Sequence, residues 1–298
     1  MKAKPIDIPE IRPGQSVELL KELHILTRDG KLNQDSRRKL KQVYHLCQFI
    51  EPLLDEVRSE HPDVQLVDHG AGKSYLGFIL YDLCFKAFGD SGAHIYGVEA
   101  RDELVEKSRE LAKRLGFPGM SFLNLSVAQS ISAPALPARI DIVTALHACD
   151  TATDDAIRFA LERNARFIVL APCCQAEVAT VLRRNKGQSL GNPLTEIWRH
   201  PLHTREFGSQ VTNVLRGLQL EAHGYQVNVT ELVGWEHSMK NELIIATQKN
   251  LPRERPARRL NEVLQTLGLQ EMDRRFFIAP DRPDQATAAS GLTSNPAG

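Results

Sequence analysis

The chain predicts an α/β protein with a Rossmann-like, seven-stranded, doubly wound sheet and an N-terminal helical cap. Three observations predict it. An apolar strand breaks into a glycine loop and then a helix between Gln65 and Leu83; strands and helices alternate regularly downstream of it; and two closely spaced strands follow near the end of the chain.

Taken in order, the first sixty residues carry two helical patterns. One has Val17, Leu19, Leu20, Leu23 and Leu26, and the other Leu40, Val43, Leu46, Ile50, Leu53 and Leu54. Residues 1–60 are therefore expected to cap a main domain at 61–250. Strands are expected at 65–68, 94–99, 120–125, 140–146 and 166–171, with helices near 74–87, 102–115 and 153–163, and Gly116 as the C-cap of the second of these. A helix from Ala176, a polar stretch from Gly187 to Pro193 and a longer helix ending near Gly224 come next. The strands Tyr225–Val233 and Glu242–Thr247 are separated by eight residues, too few for a helical crossover, so they should be antiparallel. A helical extension is expected within 251–280, and the Ala/Ser/Gly/Thr-rich residues 281–298 read as a disordered tail.

The loop itself is Val67-Asp-His-Gly-Ala-Gly-Lys-Ser-Tyr75. A phosphate-binding P-loop would need its first glycine where Val67 stands, inside the strand, and a dinucleotide fingerprint would need its third glycine where Tyr75 stands. What remains is an S-adenosylmethionine loop, in which Asp68 faces the cationic sulfonium and amino-acid end of the cofactor. A carboxylate attracts that cation but would repel a pyrophosphate.

The second strand ends in Glu99, where a carboxylate can accept hydrogen bonds from both ribose hydroxyls of an adenosine ligand. The expected cofactor set is Asp68, Gly70, Ala71 and Gly72 from the first strand and loop, Glu99 and Ala100 after the second strand, Leu125 and Ser126 after the third, and Leu146 at the end of the fourth. Five parallel strands closed by an antiparallel hairpin also match the class I methyltransferase arrangement.

Neighbouring strands four and five should bring His147, Cys149, Cys173, Cys174 and Gln175 into one region. Three explanations compete. The cluster could hold zinc, although adjacent cysteines point poorly at one tetrahedral centre and no Cys-x-x-Cys pair exists, so no metal is expected. A cysteine could be a nucleophile. Alternatively the loops are mostly structural and His147 accepts the proton of the methyl acceptor. The candidate catalytic residues are His147, Cys173, Cys174 and Gln175, and His237–Asn241 forms a further polar cluster before the last strand.

Composition narrows the classes. With 42% apolar and 25% charged residues the chain is an ordinary globular protein, and five cysteines do not suggest a disulfide framework. No apolar run approaches membrane-spanning length and Met1–Pro5 lacks a signal-peptide core, so a cytoplasmic protein without a membrane partner is expected. Formal net charge is zero, which gives no global attraction to nucleic acid. Local basic runs at Arg37–Lys41, Arg183–Lys186 and Arg253–Arg259 read singly as solvated helix faces and together suggest a nucleic-acid groove.

Asp68-His-Gly-Ala-Gly-Lys-Ser-Tyr-Leu76, Leu146-His-Ala-Cys149, Pro172-Cys-Cys174 and His237-Ser-Met-Lys-Asn241 together resemble a methyltransferase family with Gly-x-Gly-Lys-Gly-Tyr-Leu, His-x-Cys-Gly and Pro-Cys-Cys segments. That family includes the eukaryotic tRNA acceptor-stem 2′-O-methyltransferases. The resemblance spans about residues 36–248. It implies a class I fold, S-adenosylmethionine as donor and cofactor roles for Asp68, Gly70, Gly72 and Glu99; the expected acceptor is RNA, a tRNA or rRNA. Ser74 and Asp150 stand where the family carries glycine, and Gln175 and Ala176 stand where aromatic or histidine residues often follow Pro-Cys-Cys. Two alternatives remain open: a protein or small-molecule acceptor, and a non-catalytic binding protein on the same fold.

Overall fold

The computed structural model describes residues 8–146, 148–172, 175–185, 193–232 and 242–276. Its centre is a seven-stranded sheet in the order β3-β2-β1-β4-β5-β7-β6, with β1 at Gln65–His69, β2 at His94–Glu99, β3 at Met120–Asn124, β4 at Ile142–Ala145, β5 at Phe167–Leu170, β6 at Tyr225–Glu231 and β7 at Glu242–Gln248. The first five strands are parallel, and β7 pairs antiparallel with both β5 and β6. This is the class I methyltransferase fold, with the expected closing hairpin. The strand order reverses between β1 and β4, and ligands bind at such a switch point, outside the carboxyl ends of the strands.

Side-chain alternation explains why both faces are covered. Leu66, Ile142, Phe167, Val169 and Leu243 enter one core, while Val67, Val143, Ile168, Leu170 and Ile244 enter the other. The first face is covered by α1 (Val17–Glu22), α2 (Gln34–Glu60), α3 (Tyr75–Leu83) and α4 (Asp102–Leu115). The second is covered by α5 (Val127–Ser130), α6 (Thr151–Glu162) and the end of α8 (Pro201–Ala222). The two N-terminal helices thus bury Leu19, Leu20, Leu40, Ile50, Leu54 and Val57 in the same core as β1 and α3.

A third apolar cluster lies beyond the sheet. There α7 (Glu177–Arg184), α8, α9 (Glu254–Thr266) and the 3₁₀ turns Pro193–Trp198 and Gln270–Met272 bury Val178, Leu182, Trp198, Leu215, Leu260 and Phe276. Helices α7 and α8 approach closely enough that a Cβ on Gly208 would lie 2.7 Å from the Ala179 Cβ.

Several boundaries differ from expectation for local reasons. The pattern from Val17 to Leu26 is not one helix: α1 stops at Glu22, His24 takes φ +54°, and Leu23, Ile25 and Leu26 are buried from a turn instead. The helix expected over 74–87 ends at Leu83 and tightens into a 3₁₀ turn at Phe85–Phe88, closed by Gly89 at φ +58°. The helix expected from 153 begins at Thr151, and α5 is an added turn held by a Ser126–Gln129 capping box. Gly116 does cap α4, at φ +66°.

Candidate active site

The glycine loop leaves β1 by a tight left-handed path. Gly70 and Gly72 have φ +65° and +58°, and Ser74 follows at φ +52°, ψ +37°. Alanine 71 anchors the loop, donating its N–H to the Val98 carbonyl of β2 at 3.1 Å and accepting from the Ser74 N–H at 2.7 Å. The Gly72 N–H points at β2 and donates to Glu99 Oε2 at 2.8 Å. The loop is therefore fixed to the strand-end carboxylate that the sequence singles out.

Glu99 is nearly buried and heavily solicited. Arg101 donates to its Oε1 from the main chain at 3.0 Å and from Nε at 2.9 Å, and Nη2 lies 3.4 Å from Oε2. Burial alone would raise the Glu99 carboxyl; the Arg101 and Gly72 hydrogen bonds outweigh it and hold the group below its ordinary value. An adenosine ribose would have to exchange with the Arg101 side chain, which is 64% exposed and so leaves at little cost.

Asp68, at the end of β1, is in the opposite situation. Its carboxyl is fully enclosed and accepts one neutral hydrogen bond, from Thr144 Oγ1 of β4 at 2.6 Å. Burial pushes it up to about 7, with only that hydrogen bond opposing. His69 beside it is also buried, edge-on to Phe159, with Nε2 2.9 Å from Ser130 Oγ; burial pulls it down to about 3, so it is a neutral core residue.

A cavity of about 520 Å³ opens at these strand ends. Of the nine expected cofactor residues, Gly70, Ala71, Gly72, Glu99, Ala100, Leu125 and Ser126 line it. Asp68 and Leu146 lie outside its lining, 4% and 5% exposed. Although Ser126 lines the cavity, its hydroxyl is committed to capping α5 against Gln129. Lys73, Tyr75, Val98, Arg101, Val127, Ala148 and Ala152 also line it and were missed from sequence, as does Cys149, which was expected in the neighbouring cluster but not at the cofactor. Arg101 was legible in retrospect as a cation two residues past a strand-end acid; Ala148 and Ala152 carry no chemical signal.

These residues fit S-adenosylmethionine. A strand-end carboxylate and two glycines that let backbone approach a ligand lie on one cavity, and a buried carboxyl with no cation beside it among the described residues would be stabilised by a sulfonium or ammonium group.

The β4–α6 loop forms the wall between this cavity and a second, open cleft of about 650 Å³. Ala148, Cys149 and Ala152 face the first, while Asp150 and Thr151 face the second. Ala176, Glu177, Arg184, Glu271 and Arg275 are among the residues completing the cleft, where Arg275 pairs with Glu177 at 3.0 Å and Arg184 pairs with Glu271. Among the described residues of the expected basic runs, Arg184 is the one that lines this cleft. In the other runs Arg37 pairs with Glu10 and Arg258 with Glu262.

Of the candidate catalytic residues, His147, Cys173 and Cys174 lie outside the described residues, as does His237–Asn241. Gln175 is described and buried, and lines neither opening. Its Nε2 donates to Asn213 Oδ1 of α8 at 2.6 Å. Also from α8, Arg216 is fully buried and grips Asp154 of α6 with Nε at 2.7 Å and Nη2 at 3.1 Å, while donating to the Asp150 carbonyl at 2.9 Å. Asp150 Oδ1 in turn accepts the Ala176 N–H at 3.2 Å. The two candidate catalytic loops are thus tied to one helix. Among the described residues no helix is long and apolar enough to cross a membrane, and no three His, Cys, Asp or Glu side chains gather as a metal site.

Known proteins are similar in the same region. Residues 38–181 match a family model described as a methyltransferase domain. A mouse glutathione S-transferase C-terminal domain-containing protein is 21% identical over 236 residues, covering 73% of this chain and 34% of the relative; the chain spans about a third of that relative's length. Among solved structures, magnesium protoporphyrin IX methyltransferase from Synechocystis with bound SAH has a TM-score of 0.43 at 16% identity, covering 79% of this chain and 95% of that one. An SAH-bound Podospora anserina methyltransferase has a TM-score of 0.45 at 11% identity, covering 78% and 88%. The match to a methyltransferase domain over residues 38–181 thus falls on a sheet with the strand order of the class I methyltransferase fold.

Proposed function

We propose that the protein is an S-adenosylmethionine-dependent methyltransferase whose acceptor is RNA, a tRNA or rRNA. The observation that carries the enzymatic reading is the Gly72–Glu99 hydrogen bond at the mouth of a cavity whose far wall is the β4–α6 loop. The RNA acceptor is supported by the family resemblance of the His-Ala-Cys and Pro-Cys-Cys segments and by the local basic runs.

In this reading Gly70, Ala71 and Gly72 bring backbone against the cofactor, and Glu99 exchanges Arg101 for the ribose hydroxyls. Asp68 balances the positive end from beneath, with Ala100, Leu125, Ser126 and Leu146 shaping the surround. The bound cofactor supplies a methyl group already activated on a sulfonium, so the protein's task is alignment and proton removal. His147 is the residue that accepts the proton of the methyl acceptor, a task suited to an imidazole. Cys173 and Cys174 are the candidate thiols of the segment after β5, and Gln175 is tied to α8 through Asn213.

A protein or small-molecule acceptor is the second reading. It is favoured by the zero net charge and by the ion pairs that neutralise Arg37, Arg184 and Arg258. The deciding experiment incubates purified protein with methyl-labelled S-adenosylmethionine and deproteinised RNA from cells lacking the gene, then counts label before and after ribonuclease. Ribonuclease-sensitive label is expected. Label that appears only with a protein or metabolite fraction would replace the RNA reading by the second one.

A further inference from the structure

A second opening adjoins the cofactor cavity, and unlike the cleft beyond the β4–α6 loop it shares residues with that cavity. It is a groove of about 370 Å³ whose lining includes Lys73 and Tyr75, and both of these also line the cavity. Lys73 and Tyr75 are thus the ridge on which groove and cavity meet. The cleft shares no lining residue with the cavity, and there Arg275 is taken by Glu177 and Arg184 by Glu271.

Three segments build the groove. Helix α4 lays Leu104, Lys107, Leu111 and Arg114 along one face, at helical spacing, over about 15 Å. The turn after α1 adds Glu22, Leu23 and His24, with His24 held at φ +54°, a strained backbone of the kind found at ligand sites. The glycine loop supplies Lys73 and Tyr75. The floor is apolar: Leu23 and Leu104 are buried, and Leu111 and Tyr75 are half-buried.

Around that floor the charges do not cancel. Arg114 pairs with Glu22 at 2.7 Å, which leaves Lys73 and Lys107 against Glu110. Among the described residues neither lysine makes a hydrogen bond or an ion pair. An apolar floor with an aromatic side chain, beside two unpaired cations, suits a flat ring that carries an anion, as a nucleobase carries its phosphate. The volume is that of a pocket for one small ligand, so it suits one nucleotide rather than a length of strand.

We infer that this groove holds the nucleotide next to the one that is methylated, its base against Tyr75, Leu104 and Leu111 and its phosphate attracted by Lys73 and Lys107. The target nucleotide then crosses the Lys73–Tyr75 ridge into the cofactor cavity. The inference rests on the RNA methyltransferase reading above and adds the surface on which the RNA lies.

The test compares Lys107→Met with Lys113→Met. Both lysines are exposed on α4, but Lys107 lines the groove and not the cofactor cavity, whereas Lys113 lines neither. The two variants therefore lose the same charge from the same helix. Three quantities are measured: thermal midpoint, S-adenosylmethionine affinity by calorimetry, and kcat/KM for ribonuclease-sensitive labelling of RNA at several salt concentrations. Midpoints should be unchanged and cofactor affinities within about twofold in both variants, as both side chains are exposed. In Lys107→Met alone, kcat/KM should fall about threefold to tenfold, and its logarithm should depend on log salt with a slope shallower by about 0.7, the loss of one single-strand phosphate contact.

Equal kcat/KM and equal salt slopes in the two variants, with a wild type that labels RNA, would overturn the inference and leave the methyltransferase reading standing. A loss of cofactor affinity in Lys107→Met would assign the groove to the cofactor and overturn it too. Wild type that binds the cofactor but labels no RNA would overturn the RNA reading, and this inference with it.

Discussion

Gly72 and Glu99 are joined by a 2.8 Å hydrogen bond from a loop amide to a strand-end carboxylate, across 27 residues of sequence. One carboxylate therefore holds the shape of the glycine loop and presents itself to the cavity. Both tasks depend on the side chain staying ionised, which the Arg101 hydrogen bonds promote.

Replacing Glu99 should damage binding more than stability. Glu99→Ala is expected to weaken S-adenosylmethionine by at least about tenfold, equivalent to roughly 1.4 kcal/mol. Arg101→Ala should change unfolding free energy by no more than about 1 kcal/mol, because its side chain is mostly exposed. Isothermal titration and urea melts on the two variants check both statements.

Asp68 makes stability and binding depend on pH. Its folded value is raised to about 7, so the folded protein holds a proton that the unfolded chain releases near its ordinary value of 3.8. The contribution to stability is thus fully present below 3.8 and is lost as pH rises to about 7. Asp68→Asn removes this dependence: relative to wild type it should gain stability steadily between pH 4 and 7 and level off above. Urea melts across that range measure the difference. If Asp68 balances the cofactor's positive end as proposed, cofactor affinity of the wild type should fall below pH 7, where its carboxyl is protonated.

Ser74 carries avoidable strain. It is a non-glycine residue at φ +52°, its hydroxyl is buried without a partner among the described residues, and the resembling family has glycine there. Ser74→Gly is expected to stabilise the protein by about 1 kcal/mol, as left-handed backbone costs an L-residue roughly 1–2 kcal/mol. A higher urea midpoint with an unchanged slope would show it; a lower midpoint would mean the hydroxyl is bonded in solution.

Arg216 holds the site from behind, paired to Asp154, the one side chain fully buried and the other 6% exposed. Arg216→Met alone should cost about 3–5 kcal/mol, since it strands a buried acid. Combining it with Asp154→Leu should recover much of that loss. Denaturant melts of the single and double variants test the pairing, and a fully additive pair of losses would contradict it.

Sequence by itself determined the parts of this protein that depend on local chemistry and period. The alternation of Leu66 with Val67 and of Ile168 with Val169 sends successive side chains to opposite faces, and that is enough to read a doubly wound sheet. The glycine loop and Glu99 were equally legible, because positive φ and a strand-end carboxylate are written in residue type and spacing. Boundaries were not: Leu23, Ile25 and Leu26 continue a helical pattern, yet burial from a turn serves the same core.

Only the tertiary structure decided what surrounds the loops after β4 and β5. Gln175, Asn213, Arg216 and Glu242 are separated by up to 67 residues, and no local signal marks them as partners. They meet because β7 inserts antiparallel beside β5 while α8 packs across the sheet end, and a buried charge in that crevice must find its counter-charge wherever the fold brings one.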